Sequence, residues 1–340
     1  MKKLSRKNKL YHTRVTIKRT RRKYRSKKNS KTSPKLSEVY SGYVAIAPKV
    51  FDISSKHDRK NLMFFIRKMN SICKHDKKTT ILDFTNTTHM VSGGTLLFRA
   101  HLCKLMNDNP EFKIKIRLSK EIKINQVLKQ IGALELLGQY PNIDTDHPDV
   151  VNWRYAQGAG ALGEKYEEIL GHYDGAITPA LSERLYLGLT EAMTNTRHHA
   201  YPDTVSGEEH ISSDGNEWWM FSQEKDGNLY VVFCDLGMGI PASLPNKKPS
   251  LWAKITKRFG TKPKDSKVIS EAIKHSQSRT KLEYRGKGLK QLTGILEQTE
   301  GGGLHLFSNY GCYTSANGGV SLSDQKVSIN GTLIAWSMPI

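Results

Sequence analysis

The sequence predicts an α/β layer domain over residues 39–145 followed by an α+β two-layer sandwich over residues 178–340. Three observations lead there. Strand-like and helix-like periodicities alternate through the first stretch, the order that builds a layered sheet-and-helix unit. The second stretch opens on a long helix, passes through two strands joined by a tight turn, and closes with helices and further strands. Between them the chain from Pro141 to Gly163 is rich in Pro, Asp and Gly, and residues 146–177 are expected to be a linker.

The first domain begins with a short strand at Tyr43 to Ile46, stopped by Pro48. Leu62, Phe65, Ile66, Met69 and Ile72 recur at three and four residues, which predicts a helix from Asn61 to Cys73. Thr79 to Phe84 is a strand followed by the Asn86-Thr87-Thr88 turn, and a helix runs from Ser92-Gly93-Gly94 to about Met106. Lys and Arg alternate with Ile and Leu from Lys113 to Leu118, the pattern of a half-buried strand. Asn125 to Leu137 is a helix ended by Gly138.

In the second domain Thr178 is a suitable N-cap, and Pro179 is tolerated at the first helical position because its missing N–H needs no partner there. The helix is expected to run to about His199, with Leu181, Leu185, Leu189, Ala192 and Thr196 on one side and Pro202 closing it. Strands follow at Glu217 to Gln223 and Leu229 to Cys234, joined by Asp226-Gly227-Asn228. Helices at Ser266 to Ser276 and Gly288 to Glu297, and strands at Leu304 to Ser308 and Thr332 to Ser337, complete the expected order.

No stretch approaches the eighteen consecutive apolar residues of a membrane-spanning helix, and no apolar run follows the basic N-terminus as a signal peptide would require. None of Cys73, Cys103, Cys234 and Cys312 lies in a CxxC pair, which argues against a zinc knuckle or a redox motif. Buried free thiols and a cytoplasmic location are expected. Net charge is +21 overall, and residues 1–35 supply 16 Lys or Arg without one Asp or Glu. Residues 1–38 are therefore expected to be a disordered basic arm, able to attract nucleic acid, an anionic membrane or an acidic partner.

Three short segments carry the chemistry. In Glu191-Ala-Met-Thr-Asn195-Thr-Arg-His-His199 the residues Glu191, Asn195 and His199 fall at i, i+4 and i+8 on one helical face. A carboxylate and a carboxamide so placed can hold hydrated Mg²⁺ and polarise an attacking water, although any exposed helix can show such a column. Cys234-Asp235-Leu-Gly237-Met-Gly239 follows an apolar strand. Its acid can accept a hydrogen bond from a heterocyclic amine, and its glycines admit a ligand close to the backbone; a plain glycine turn would look the same. Tyr284-Arg285-Gly286-Lys287-Gly288-Leu289 opens a helix and offers N–H groups and two cations to an anion. It is neither a Walker A loop nor a strand-first dinucleotide fingerprint.

In this order the three segments resemble those of the GHKL ATPases, the family of gyrase B, the large heat-shock chaperones, MutL and the histidine kinases. The resemblance covers residues 178–340 and implies a Bergerat-type ATPase fold. It implies that Asn195 ligates Mg²⁺, that Glu191 is the catalytic base, that Asp235 binds the adenine amino group, and that Gly237, Gly239 and His199 belong to the cofactor site. Arg285, Gly286, Lys287, Gly288 and Leu289 would meet the phosphates, with residues 242–284 as a variable lid. Gly331-Thr332 looks like the family's last element. Within the family the helix is most similar to that of anti-sigma-factor serine kinases, including His199-Ala200-Tyr201. The segment Ile81-Leu-Asp83-Phe-Thr85 followed by Met90-Val-Ser92-Gly93-Gly94 resembles a STAS-like antagonist domain, in which Ser92 stands near the family's phosphoacceptor but without its flanking acid and second serine. The implied function is an ATP·Mg²⁺-binding regulator of serine-kinase or switch type. The alternatives are a slow ATPase clamp acting with nucleic acid and an ATP-sensing adaptor without turnover. Expected partners are a protein target, a second copy of the chain, and nucleic acid or another polyanion through residues 1–35.

Overall fold

The computed structural model describes residues 43–75, 79–159, 170–173, 175–201, 217–275, 289–296 and 299–340. The basic arm at 1–38, the end of the expected lid and Arg285 to Gly288 lie outside the described residues.

The first half builds a small parallel sheet. Strands β1 (Tyr43–Ile46), β3 (Thr80–Asp83) and β5 (Ile114–Arg117) lie in the order β1-β3-β5, and a short parallel pair joins β2 (Val50–Phe51) to β4 (His89–Met90). Helices α1 (Lys56–His75), α2 (Ser92–Asp108), α3 (Ile122–Gln130) and α4 (Ala133–Leu136) connect and cover them. Phe51, Phe65, Phe84 and Phe98 meet with ring centroids 5.5–5.9 Å apart and anchor this part of the core. Every residue of α2 from Gly93 to Ala100 is buried. A helix apolar on all sides has to sit between two layers, and α2 does.

The second layer is a seven-stranded sheet, antiparallel at every pairing, in the order β11-β10-β9-β12-β8-β7-β6. Its strands are β6 (Arg154–Ala159), β7 (Glu217–Lys225), β8 (Asn228–Asp235), β9 (Gly303–Ser308), β10 (Gly311–Ala316), β11 (Gly319–Asp324) and β12 (Thr332–Pro339). Both faces are covered at the centre. Trp219 and Phe221 point into the core shared with α2, while Trp218 and Met220 point into a second core. This explains why Trp218 to Phe221 is an unbroken apolar run: a strand buried on both faces has no polar side to alternate. The second core is closed by α6 (Pro179–Asn195), whose buried stripe includes Leu181, Leu185 and Leu189, and by α10 (Leu289–Gly294). Thr178 Oγ1 caps α6 by accepting from Leu181 N at 3.3 Å.

The structure differs from the sequence reading in that the expected helix Asn125 to Leu137 is two, α3 and α4, broken at Gly132 with φ of 66°, and in how the halves join. The expected linker contributes structure, namely α5 (Pro148–Val151) and the edge strand β6, and Trp153 stacks on Phe221 with centroids 5.0 Å apart. The core that begins at Ala45 runs without a break to Leu333, so the two halves share one interior. Cys103, Cys234 and Cys312 are buried free thiols. Among the described residues no helix is long and apolar enough to cross a membrane.

Candidate functional site

Strand β8 ends at Asp235, which lies opposite Thr332 of β12 and Trp218 of β7. The carboxylate is 6% exposed and accepts from Gly237 N at 2.9 Å. Burial pushes its pKa up to about 7 against the opposing effect of N–H donors from Gly237 and Thr332. Gly331 makes this close pairing possible. A Cβ at that position would sit 2.2 Å from the Asp235 carbonyl oxygen.

Helix α6 brings Glu191 and Asn195 to the same place, and Asn195 Nδ2 donates to Glu191 Oε1 at 2.9 Å. Burial raises the pKa of Glu191, opposed by that hydrogen bond and by Lys248. Beyond Asn195 the helix widens into a π-helical turn, Thr196–Ala200. The wider turn departs from the 3.6-residue spacing on which the expected column through His199 was based. The side chain of His199 is outside the described residues.

The wide turn also seats the glycine loop. Met238 N donates to Ala200 O at 2.7 Å, and Gly237 lies so close to Ala200 that an added Cβ would be 2.3 Å from the alanine's own. Tyr201 holds the other side, its hydroxyl accepting from Leu236 N and donating to Glu217 O, each at 3.1 Å. From the sheet, Ser308 Oγ accepts from Ile240 N at 2.9 Å and Asn309 Nδ2 donates to Met238 O at 2.7 Å. In the sequence Tyr201 is only an aromatic after the helix, and Ser308 and Asn309 carry no signal, because their role depends on pairing with a loop 68 or more residues away.

These elements enclose a cavity of about 660 Å³. Glu191, Asn195, Asp235, Gly239, Leu289 and Thr332 all line it; Gly237 does not, and packs against Ala200 instead. The segment expected to be a lid supplies α7 (Ile240–Lys247), α8 (Pro249–Phe259) and α9 (Asp265–Lys274). From it Lys247, Lys248, Lys254 and His275 face the cavity, with Phe233, Ile334 and Leu292 as apolar wall. The two acids lie on α6 and β8, while the lysines lie on α7 and α8 and the turn between them. Such a division suits a ligand with an amine-bearing apolar end and an anionic end. Among the described residues there is no group of three His, Cys, Asp or Glu side chains able to cage a metal. One amide and one carboxylate instead suit a hard cation that keeps waters and takes its other oxygens from a bound phosphate.

The chain matches no protein-family model and no curated protein.

Proposed function

We propose that the cavity binds ATP with Mg²⁺ and that the chain is a nucleotide-operated regulator acting on a protein partner in the cytoplasm. In this reading residues 178–340 are a GHKL-type ATPase module, and residues 39–145 are a STAS-like unit docked on its sheet. The observation that carries it is convergence. Glu191 and Asn195, Asp235 and Gly239, Leu289, and Thr332 come from four separate stretches of sequence and line one cavity of about 660 Å³, within the usual range for a nucleotide-sized ligand.

The residues present fit the ligand. Asp235 would accept from the adenine amino group at the buried end, where Phe233 and Ile334 supply apolar contact. Lys247, Lys248 and Lys254 would neutralise phosphate charge. The Asn195 nitrogen is committed to Glu191, which leaves the amide oxygen as the atom for the cation. Bound Mg²⁺ would supply charge neutralisation across the phosphates. Glu191, with its proton affinity raised by burial, would orient a water or a serine hydroxyl and accept its proton.

Calorimetric titration of the full chain with ATP and MgCl₂ tests the binding. Saturable heat is expected, and a flat titration would remove the proposal. Incubation with γ-labelled ATP and candidate partners then separates phosphate release from phosphate transfer.

A further inference from the structure

The described part of the expected lid carries more positive charge than the cavity uses. Residues 247–274 hold nine Lys or Arg against two acids, and all nine are exposed. Lys247, Lys248 and Lys254 face the cavity. The others gather mainly where α8 turns into α9: Lys257, Arg258, Lys262, Lys264 and Lys267. The two acids are already engaged. Glu271 takes ion pairs from Arg258 at 3.3 Å and from Lys274 at 3.4 Å, with His275 Nε2 3.4 Å from its other oxygen, while Asp265 accepts from Tyr310 N at 3.0 Å. Among the described residues no carboxylate pairs with Lys257, Lys262, Lys264 or Lys267. Holding unpaired like charges at one corner raises self-repulsion, which an external polyanion relieves.

The bond from its backbone to Asp265 sets Tyr310 beside this corner, with 47% of its surface exposed. No exposed Leu, Ile, Val, Phe or Trp lies among residues 240–275, so the corner lacks the apolar side chains by which a basic helix enters a membrane interface. Cations with an exposed aromatic are instead the combination that tracks an unpaired strand, the cations on phosphates and the ring against a base. We infer that the α8–α9 corner is a binding surface for single-stranded nucleic acid, with Lys257, Lys262, Lys264 and Lys267 on the phosphate backbone and Tyr310 stacking on a base. This surface is separate from the cavity and does not depend on what the cavity binds.

The test uses the full chain, basic arm included, and a fluorescein-labelled mixed-sequence single-stranded oligonucleotide read by anisotropy across a salt series. For Lys257→Gln/Lys262→Gln/Lys267→Gln the slope of log K against log salt is expected to shrink by about 2, at roughly 0.7 per lost contact. Tyr310→Ala should weaken binding about tenfold without changing the slope. Because all four side chains are exposed, each variant should keep the wild-type melting temperature. A triple variant with wild-type slope and affinity would assign all binding to the arm and overturn the inference, as would no binding by the wild type. Loss of binding to phosphatidylserine vesicles, with oligonucleotide binding intact, would overturn it in favour of a membrane surface. Asp235→Asn should leave the slope untouched, so failure of the ATP reading and failure of this one are distinguishable.

Discussion

Nη2 of Arg59 donates to the carbonyl oxygen of Asn309 at 2.5 Å, and Asn309 in turn donates through its side chain to Met238 in the glycine loop. Arg59 lies on α1, in the first half, and is 1% exposed. Among the described residues its Nε and Nη1 have no hydrogen-bond partner, and burial lowers its pKa to about 10. A buried cation so poorly matched is weak evidence for stability. It does bind α1 to the turn that holds the loop beside Asp235.

Replacing Arg59 by Met should therefore change folding stability by no more than about 1–2 kcal/mol in either direction, since an apolar side chain avoids the desolvation cost. The loop should lose definition, and ATP affinity should fall about three- to tenfold. Urea unfolding with calorimetry on the same samples reads both. Unchanged affinity in a stably folded variant would mean that α1 does not position the loop.

Asp235 gives a pH prediction. Its folded pKa, about 7, stands above the ordinary value of 3.8, so the native state holds the proton more tightly than the unfolded chain. The stability this contributes is complete below about pH 4 and is lost as pH rises to about 7, an effect on the order of 4 kcal/mol. Asp235→Asn removes the titration. Its melting temperature relative to wild type should rise steadily between pH 4 and pH 7 and level off above, while its ATP affinity falls about tenfold. A constant difference across that range would show that the carboxylate is not buried as described.

Glu191→Gln keeps a hydrogen-bond partner for Asn195 but no longer accepts a proton. ATP affinity should stay within about threefold of wild type, while turnover of γ-labelled ATP falls by at least about a hundredfold. Equal losses in binding and turnover would make Glu191 a binding residue.

Gly237→Ala pushes a methyl group into the Ala200 backbone and should destabilise the chain by about 1–3 kcal/mol, with loss of ATP binding as the loop shifts. Gly227→Ala is a control: that glycine has open space around it and only a positive φ of 67° to strain. A drop in melting temperature with ATP affinity kept would separate the loop from the site.

The sequence carried the parts of the site governed by local rules. Glu191 and Asn195 are one helical turn apart, and Asp235 follows an apolar strand, so spacing alone places each on its element. The π-helical turn at Thr196–Ala200 was not legible, because it depends on Ala200 packing against Gly237 rather than on local propensity. The hairpin β10–β11 was missed for a different reason. Its outer strand, Gly319–Asp324, is exposed along nearly its whole length, and its only apolar side chains, Val320 and Leu322, are too few for a periodic signal. β6 was hidden by the glycines around it, since its place in the sheet comes from pairing with β7, 58 to 68 residues on.

The position of α2 has a consequence for synthesis. Its apolar surface is covered on one side by α1 and on the other by β7, β8 and β12. The strand Thr332–Pro339 is made long after Ser92–Asp108 leaves the ribosome. During that interval the nascent first half exposes the face of α2 that the sheet later covers, a surface prone to self-association. Chains stopped before β12 should therefore accumulate in the insoluble fraction or bound to chaperones, rather than as a soluble first half.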